Sequence, residues 1–594
     1  MNRFSKLSEK LVGLTAAVTR YPVAAAFLLL ATAVNAYTLI ADKNYENAWM
    51  ACIVGAALSV VLQAAHEHFG KKPFARWLLS AAGIIAAGVY YLLIRAEPAY
   101  STENTARTTV LMFALMFAYM LMPAIKSRIS FNESFMAVFK ALFQSFFYAA
   151  VFFIGCSLII AAFDTLISPV GSDAYLHMAN VVFVLLAPVL LLSLIPVYPG
   201  RRSPGKGTAP EGFLHEEAIA RAVYCPKFLE ILISYIIIPL AAIFTVILVL
   251  YIFLNIGGDF WRNNLLEPLL ISYAISIMLI LFLAARLSNR VAVLFCKIFP
   301  KVLVPVVVFQ LIASTFILRD TGVTHARYFV IIFGIFAACA GVLLSIDPLR
   351  RSGSAAALLI TFSIVAVTPP VDAFTVSRVS QRQRLETVLN QNDMLQNNTL
   401  IPAADISEAD EEAIASSLEY LYRMNAIGKL AWLPAQFDYY ADFENAFGFS
   451  RYGTPGKTGR YIYVQAPSGL PADIAGYEIL TTASVNANVS VNATICEFDK
   501  GGNTYILLET SRGGRAHLIL SEKGGEELIS FDTDEIFARY SEFDDEPLPL
   551  SAQQAIFAVE NDRAKLMLFI QHATVNTDSA NYNRADFYVM MAVK

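Results

Sequence analysis

Long apolar runs repeat through about the first 370 residues and then stop. The change falls in "PPVDAFTVSRVSQRQRLETVLNQNDML" (Pro369–Leu395), after which charges, Asn and Gly–Gly pairs take over. Eleven runs are long enough to cross a bilayer: Tyr21–Ile40, Trp49–Ala65, Trp77–Ile94, Thr108–Ile125, Leu142–Phe163, Leu176–Val197, Leu229–Asn255, Leu265–Ala284, Val302–Leu318, Tyr328–Ser345 and Ala355–Val371. At about 1.5 Å per residue, each covers about 30 Å of hydrocarbon. Backbone amides in lipid must bond within their own segment, so these runs are expected to be helices.

Beyond Val371 the pattern changes twice. "SQRQRLETVLNQNDML" and "DISEADEEAIASSLEYLYRMNAIG" carry apolar residues at helical spacing. The second has a Ser407/Asp410 capping pattern, an acidic first turn, and Gly428 where a C′ glycine belongs. From Arg460 on, β-branched and aromatic runs alternate with turns. Gly501–Gly502, Gly513–Gly514 and Gly524–Gly525 recur at hairpin spacing around "NTYILLETSR" and "RAHLILSEK". "AKLMLFIQHATV" and "ADFYVMMAVK" add two strands. The expected fold is therefore a polytopic α-helical membrane bundle of about eleven spans, followed by a soluble α+β domain with a helix pair and an antiparallel β-meander. The expected divisions are residues 1–373 for the membrane domain, 374–430 for the amphipathic helix pair and 431–594 for the β-rich domain.

Composition sharpens this division. Of 594 residues, 57% are hydrophobic and only 15% charged, with a mean hydropathy of +0.54; soluble proteins carry about 25% charged residues. The net charge of −4 conceals two parts. From Phe374 onward, 17 Lys and Arg face 30 Asp and Glu, a charge of −13, while the preceding residues carry +9. Numbering the loops alternately puts 21 basic residues on the side of the N-terminus and 6 on the other. Basic residues favour the cytoplasm, so the N-terminus is expected inside and, with an odd span count, the C-terminal domain outside. The first apolar run is too long, and its basic region too distant, for a cleaved signal, so it reads as an uncleaved first helix.

Candidate chemistry is sparse. Charged residues are nearly absent from the expected spans, which counts against proton-coupled pumping. The neutral polar residues Gln63, Gln144, Asn180 and Gln310 suit interhelical hydrogen bonds. Pro188, Pro239 and Pro305 fall inside spans as kinks, or as the broken helices of a transporter. Ala51/Gly55 and Gly83/Ala87 offer close-packing faces. His66-Glu67-His68 and His215-Glu216-Glu217 fall in expected cytoplasmic loops, too few ligands for a metal site. The acidic run Asp532–Glu546 lacks the spacing of a calcium loop and reads as a solvated face. Five of the six cysteines lie in or beside the apolar part, so no disulfide framework is implied. Nucleophile elbows, phosphate loops and His-Glu-x-x-His helices are missing from the sequence. Polytopic glycosyltransferases share the layout but carry acidic pairs in a large first outer loop, which here is only "ADKNYENA". The acidic tail excludes a basic nucleic-acid surface. No catalytic residue, cofactor or metal is assigned.

Three stretches together, "CPKFLEILISYIIIPLAAIFTVILVLYIFLNI", "TGVTHARYFVIIFGI" and "VSRVSQRQRLETVLNQNDML", resemble the bacterial membrane proteins grouped as domain of unknown function 4153 (DUF4153). "TPPVDAFTVS" departs from that pattern, standing where Gly-Pro-Trp is expected. The resemblance implies a bacterial inner-membrane protein without an assigned reaction, and an outer side that is periplasm or cell exterior. It also singles out Arg327 and Tyr328, at the outer end of a span, as a snorkelling anchor or a headgroup contact. The expected partners are the lipid bilayer and an envelope protein or cell-wall component met by the C-terminal domain. The competing expectation is a permease for a neutral or lipid-like solute, with Gln310, Pro239 and Pro305 around its path.

Overall fold

The computed structural model describes residues 13–41, 44–69, 73–95, 98, 101–127, 129–198, 209–255, 267–403, 405–434, 436–451, 461–467, 469–486, 493–512, 515–543, 548–576 and 583–594. The chain forms two compact units: Met1–Leu389 with Ser416–Ala435, and Asn390–Ala415 with Gln436–Lys594.

Among the described residues, eleven helices of the first unit are long and apolar enough to cross a membrane. They include α1 (Pro22–Ala41), α2 (Glu46–Phe69), α3 (Pro73–Ile94), α4 (Thr102–Leu121) and α5 (Phe131–Leu166). Further along come α6 (Glu267–Ala284), α7 (Arg290–Thr321), α8 (His325–Ile346) and α9 (Pro348–Val367). The polar helix α10 (Ala373–Gln391) follows the last span. Helix α2 packs on α1, α3 and α4; α8 lies against α7 and α9, and α9 closes back on α4. A shared core of Phe117, Phe131, Phe282, Phe295 and Phe336 holds the bundle together. Its outer surface is as apolar as its interior: Trp77, Phe146, Phe147, Leu158 and Ile159 are all exposed. In water such a surface would associate; a bilayer solvates it.

Small residues set the closest approaches. A Cβ on Gly55 would lie 2.9 Å from the Ala87 Cβ and 3.0 Å from the Phe27 ring, so α2 meets both neighbours at a glycine. Prolines act in two ways. Pro188 and Pro239 each follow a π-helical segment, Asn180–Leu186 and Leu232–Ile237, whose wider turns absorb the missing N–H and the clash of the ring with the carbonyl one turn back. Pro300 and Pro305 sit within the continuous helix α7.

Among the described residues, two larger sheets make up most of the second unit. Strands β1 (Ala493–Lys500), β2 (Asn503–Arg512), β3 (Arg515–Glu522) and β4 (Glu527–Asp532) form the antiparallel meander. Gly501 and Gly502 make its first two-residue turn, both at positive φ, between paired Lys500 and Asn503. The other sheet centres on the antiparallel pair Ala564–Asn576 and Arg584–Val593, flanked by Ile479–Asn486 and Tyr461–Gln465. Its short strand Leu548–Pro549 is a parallel addition. Leu507, Leu518, Leu520, Phe587 and Val589 belong to one core shared by both sheets. The acidic run proves half-structural: Asp534–Ser541 is a helix that buries Ile536, Phe537 and Tyr540. Its residues 544–546, like Gly513–Gly514 and His215's side chain, lie outside the described residues.

Candidate functional site

A buried cluster of charged side chains in the first unit lies where α10 leaves the last span. Helix α4 begins six residues before the expected span start, at Thr102, so Glu103 and Arg107 stand on one helical face four residues apart. The Arg107 Nη2 lies 2.8 Å from Glu103 Oε1 and 2.5 Å from Asp372 Oδ2. Arg378 of α10 completes the set, its Nη1 2.5 Å from Glu103 Oε2. Asp372 is fully buried and Glu103 is 7% exposed. Two guanidinium groups and two carboxylates thus neutralise one another out of water.

Asp372 has a second role. Its Oδ1 accepts the Thr375 N–H at 3.3 Å, satisfying one of the free amides at the start of α10. Burial pushes the Asp372 carboxyl up. Hydrogen bonds from Thr375 and Arg107, with the guanidinium charge, outweigh that and hold it below the usual carboxylate range.

Around the charges, side chains bind α10 to its surroundings. The Tyr420 hydroxyl donates to Ser377 Oγ at 2.7 Å and accepts the His325 backbone N–H at 3.0 Å. His325 Nδ1 is 2.9 Å from the same hydroxyl; with the phenol proton already on Ser377, Nδ1 is the donor. Gln381 Nε2 donates to the carbonyls of Thr321 and Val323. That approach needs Gly322, which lies at φ +68° and whose added Cβ would stand 2.9 Å from Gln381 Nε2. Arg384 reaches Ser416 and Ser417, and Trp432 Nε1 donates to Glu386.

The residues singled out from sequence fall in different places. Tyr328 belongs to this junction: its hydroxyl donates to the Val371 carbonyl, next to Asp372. Arg327 is half-buried on the first turn of α8, within electrostatic reach of Glu267. Gln310 is 1% exposed within α7, and neither its Nε2 nor its Oε1 has a partner among the described residues. Pro305 is one and a half turns earlier on the same helix. Pro239 lies on another helix, just past its π-helical segment. Of the neutral polar residues, Asn180 bridges to Asn35 on another helix, whereas Gln63 and Gln144 bond within their own helices. His66 and His68 sit in the last turn of α2 rather than in a loop.

Sequence reasoning passed over Glu103, Asp372 and Arg378. The available signals were the i, i+4 spacing of Glu103 and Arg107, and a lone Asp placed directly after the last apolar run. Among the described residues, no group of three or more His, Cys, Asp or Glu side chains is placed to hold a metal ion.

Eleven apolar helices and a lipid-facing apolar surface define a multi-pass membrane protein. The chain belongs to the family described as domain of unknown function (DUF4153), whose family model matches residues 50–404. That match includes the whole charge junction. No curated protein and no solved structure matches the chain.

Proposed function

We propose that this protein is a membrane anchor and coupling element: its helical bundle carries an extracytoplasmic module that contacts envelope components, and holds the chain rigidly where it leaves the bilayer. The observation that carries this reading is the junction of Glu103, Arg107, Asp372 and Arg378. It joins the first polar helix after the last span to a helix far earlier in the chain by buried ion pairs. A flexible tether would need none of this, because ordering and desolvating four charges is costly. The odd span count and the 21-to-6 asymmetry of basic residues support an outer location for the acidic C-terminal part. Both carboxylates of the junction are held by guanidinium groups, which favours a structural role over general-base chemistry.

Impermeant maleimide labelling of intact cells tests the arrangement, using single cysteines in an otherwise Cys-free chain. Glu526 in the second unit and Arg350 in the first turn of α9 are suitable positions, at 85% and 88% side-chain exposure. Labelling of Glu526→Cys alone is expected. Labelling of Arg350→Cys alone would invert the topology and remove the envelope-contact reading.

A second reading, a permease for a neutral solute, is favoured by one feature: the Gln310 amide buried in the bundle without a protein partner.

A further inference from the structure

At the end of the bundle marked by basic residues, α1, α2 and α3 leave a narrow cleft between them. It is lined by Tyr21, Ser59, Gln63, His66, Arg76 and Ser80, with Leu62 and Leu79 among its apolar walls. The empty space is about 320 Å³ including the open mouth, and about 20 Å³ of it is wide enough for a water-sized group. Such a space seats one small polar group rather than a whole solute.

Each wall residue has a defined place. Tyr21 immediately precedes α1, His66 stands in the last turn of α2, and Arg76 stands in the first turn of α3. All three elements end there, so the cleft sits at a membrane surface and not at mid-bilayer. Beside it on α3, Phe74 and Trp77 are 74% and 77% exposed, as aromatic side chains at the headgroup level are.

Among the described residues, the charges lining and adjoining the cleft leave an excess of one cation. Arg20 and Glu67 cancel, with Arg20 Nη2 2.8 Å from Glu67 Oε2 and Gln63 Nε2 donating to the same carboxylate. Among the described residues, Arg76 has one long contact, 3.5 Å from its Nη2 to the Thr19 carbonyl. The His66 Nδ1 is buried without a partner among the described residues. A buried imidazole nitrogen, and on the same cleft a guanidinium with no carboxylate partner among the described residues, call for a group that accepts hydrogen bonds and carries negative charge.

We infer that this cleft binds the phosphate of an anionic membrane phospholipid. One phosphate oxygen enters between His66 and Arg76, the remaining headgroup lies in the mouth, and the acyl chains run down the apolar outer face of α3. Position at the interface, net positive charge and an adjoining apolar wall match the chemistry of an amphiphile with an anionic head, and a soluble anion would use only the first two.

The test uses the full chain in detergent with defined lipids added back, read by native mass spectrometry and by thermal midpoint. Phosphatidylglycerol is expected to be retained and to raise the midpoint, while phosphatidylcholine does neither. Arg76→Gln should weaken phosphatidylglycerol binding about fivefold, the worth of one Arg near an anionic lipid. His66→Gln should weaken it too, and Arg350→Gln, an exposed cation elsewhere, should not. An unchanged phosphatidylglycerol affinity in a folded Arg76→Gln protein overturns the assignment. So does equal binding of phosphatidylcholine, or full replacement of the effect by inorganic phosphate.

Discussion

Arg107 and Asp372 lie 265 positions apart and meet through a 2.5 Å ion pair, with the Asp372 side chain wholly inside the protein. The pair joins the head of α4 to the segment that has just left the last span. It also joins the fourth of the eleven spans to the end of the polytopic region, so helices threaded into the membrane separately are drawn together at one surface.

Breaking this pair from one side leaves a buried charge alone. Arg107→Ala is expected to destabilise the bundle by about 3–5 kcal/mol, and Arg107→Met combined with Asp372→Asn by much less, since isosteric removal of both charges can be nearly neutral. Scanning fluorimetry of the detergent-solubilised chain measures both. A double-variant loss equal to the sum of the Arg107→Met and Asp372→Asn single losses would mean that the two residues are not energetically coupled.

Acid should weaken the junction through Asp372. Its carboxyl is held below the usual range, so the folded chain binds this proton less readily than the unfolded chain does. Stability from that source is fully present above about pH 3.9, the value of a free Asp, and is lost as pH falls through the lower folded value. As pH falls below about 3.9, Asp372→Asn should therefore lose less stability than the unaltered chain. Parallel acid limbs in the two proteins would count against this assignment.

Gln310 separates the anchor from the permease. A buried donor or acceptor left unmade costs about 1–3 kcal/mol, so Gln310→Leu in a closed anchor is expected to raise the thermal midpoint. A fall in the midpoint, accompanied by loss of a solute flux in proteoliposomes, would favour the permease.

Most of the architecture was legible in the chain because hydrophobic length is a local property. A bilayer requires about twenty apolar residues per helix and rejects unpaired backbone, so each span is written where it occurs. The meander was legible for a similar reason: Gly501–Gly502 can adopt the positive φ of a hairpin turn, and alternating runs on either side supply its strands. Boundaries were less legible. Glu103 and Arg107 read as loop residues because charge interrupts an apolar window, yet both are helical once their charges are paired.

What the amino-acid sequence determined by itself was thus the solvent of each segment: eleven helices for lipid, then an acidic α+β region for water. Which distant residues meet was decided only by tertiary structure. Nothing near Asp372 in the sequence names Arg107 as its partner, and nothing near Arg76 names His66 or Tyr21 as neighbours around a cleft. Hydropathy acts residue by residue over a window of one span, whereas an ion pair or a cleft depends on how helices pack side by side, an arrangement selected by the shape and pairing of side chains from several spans at once.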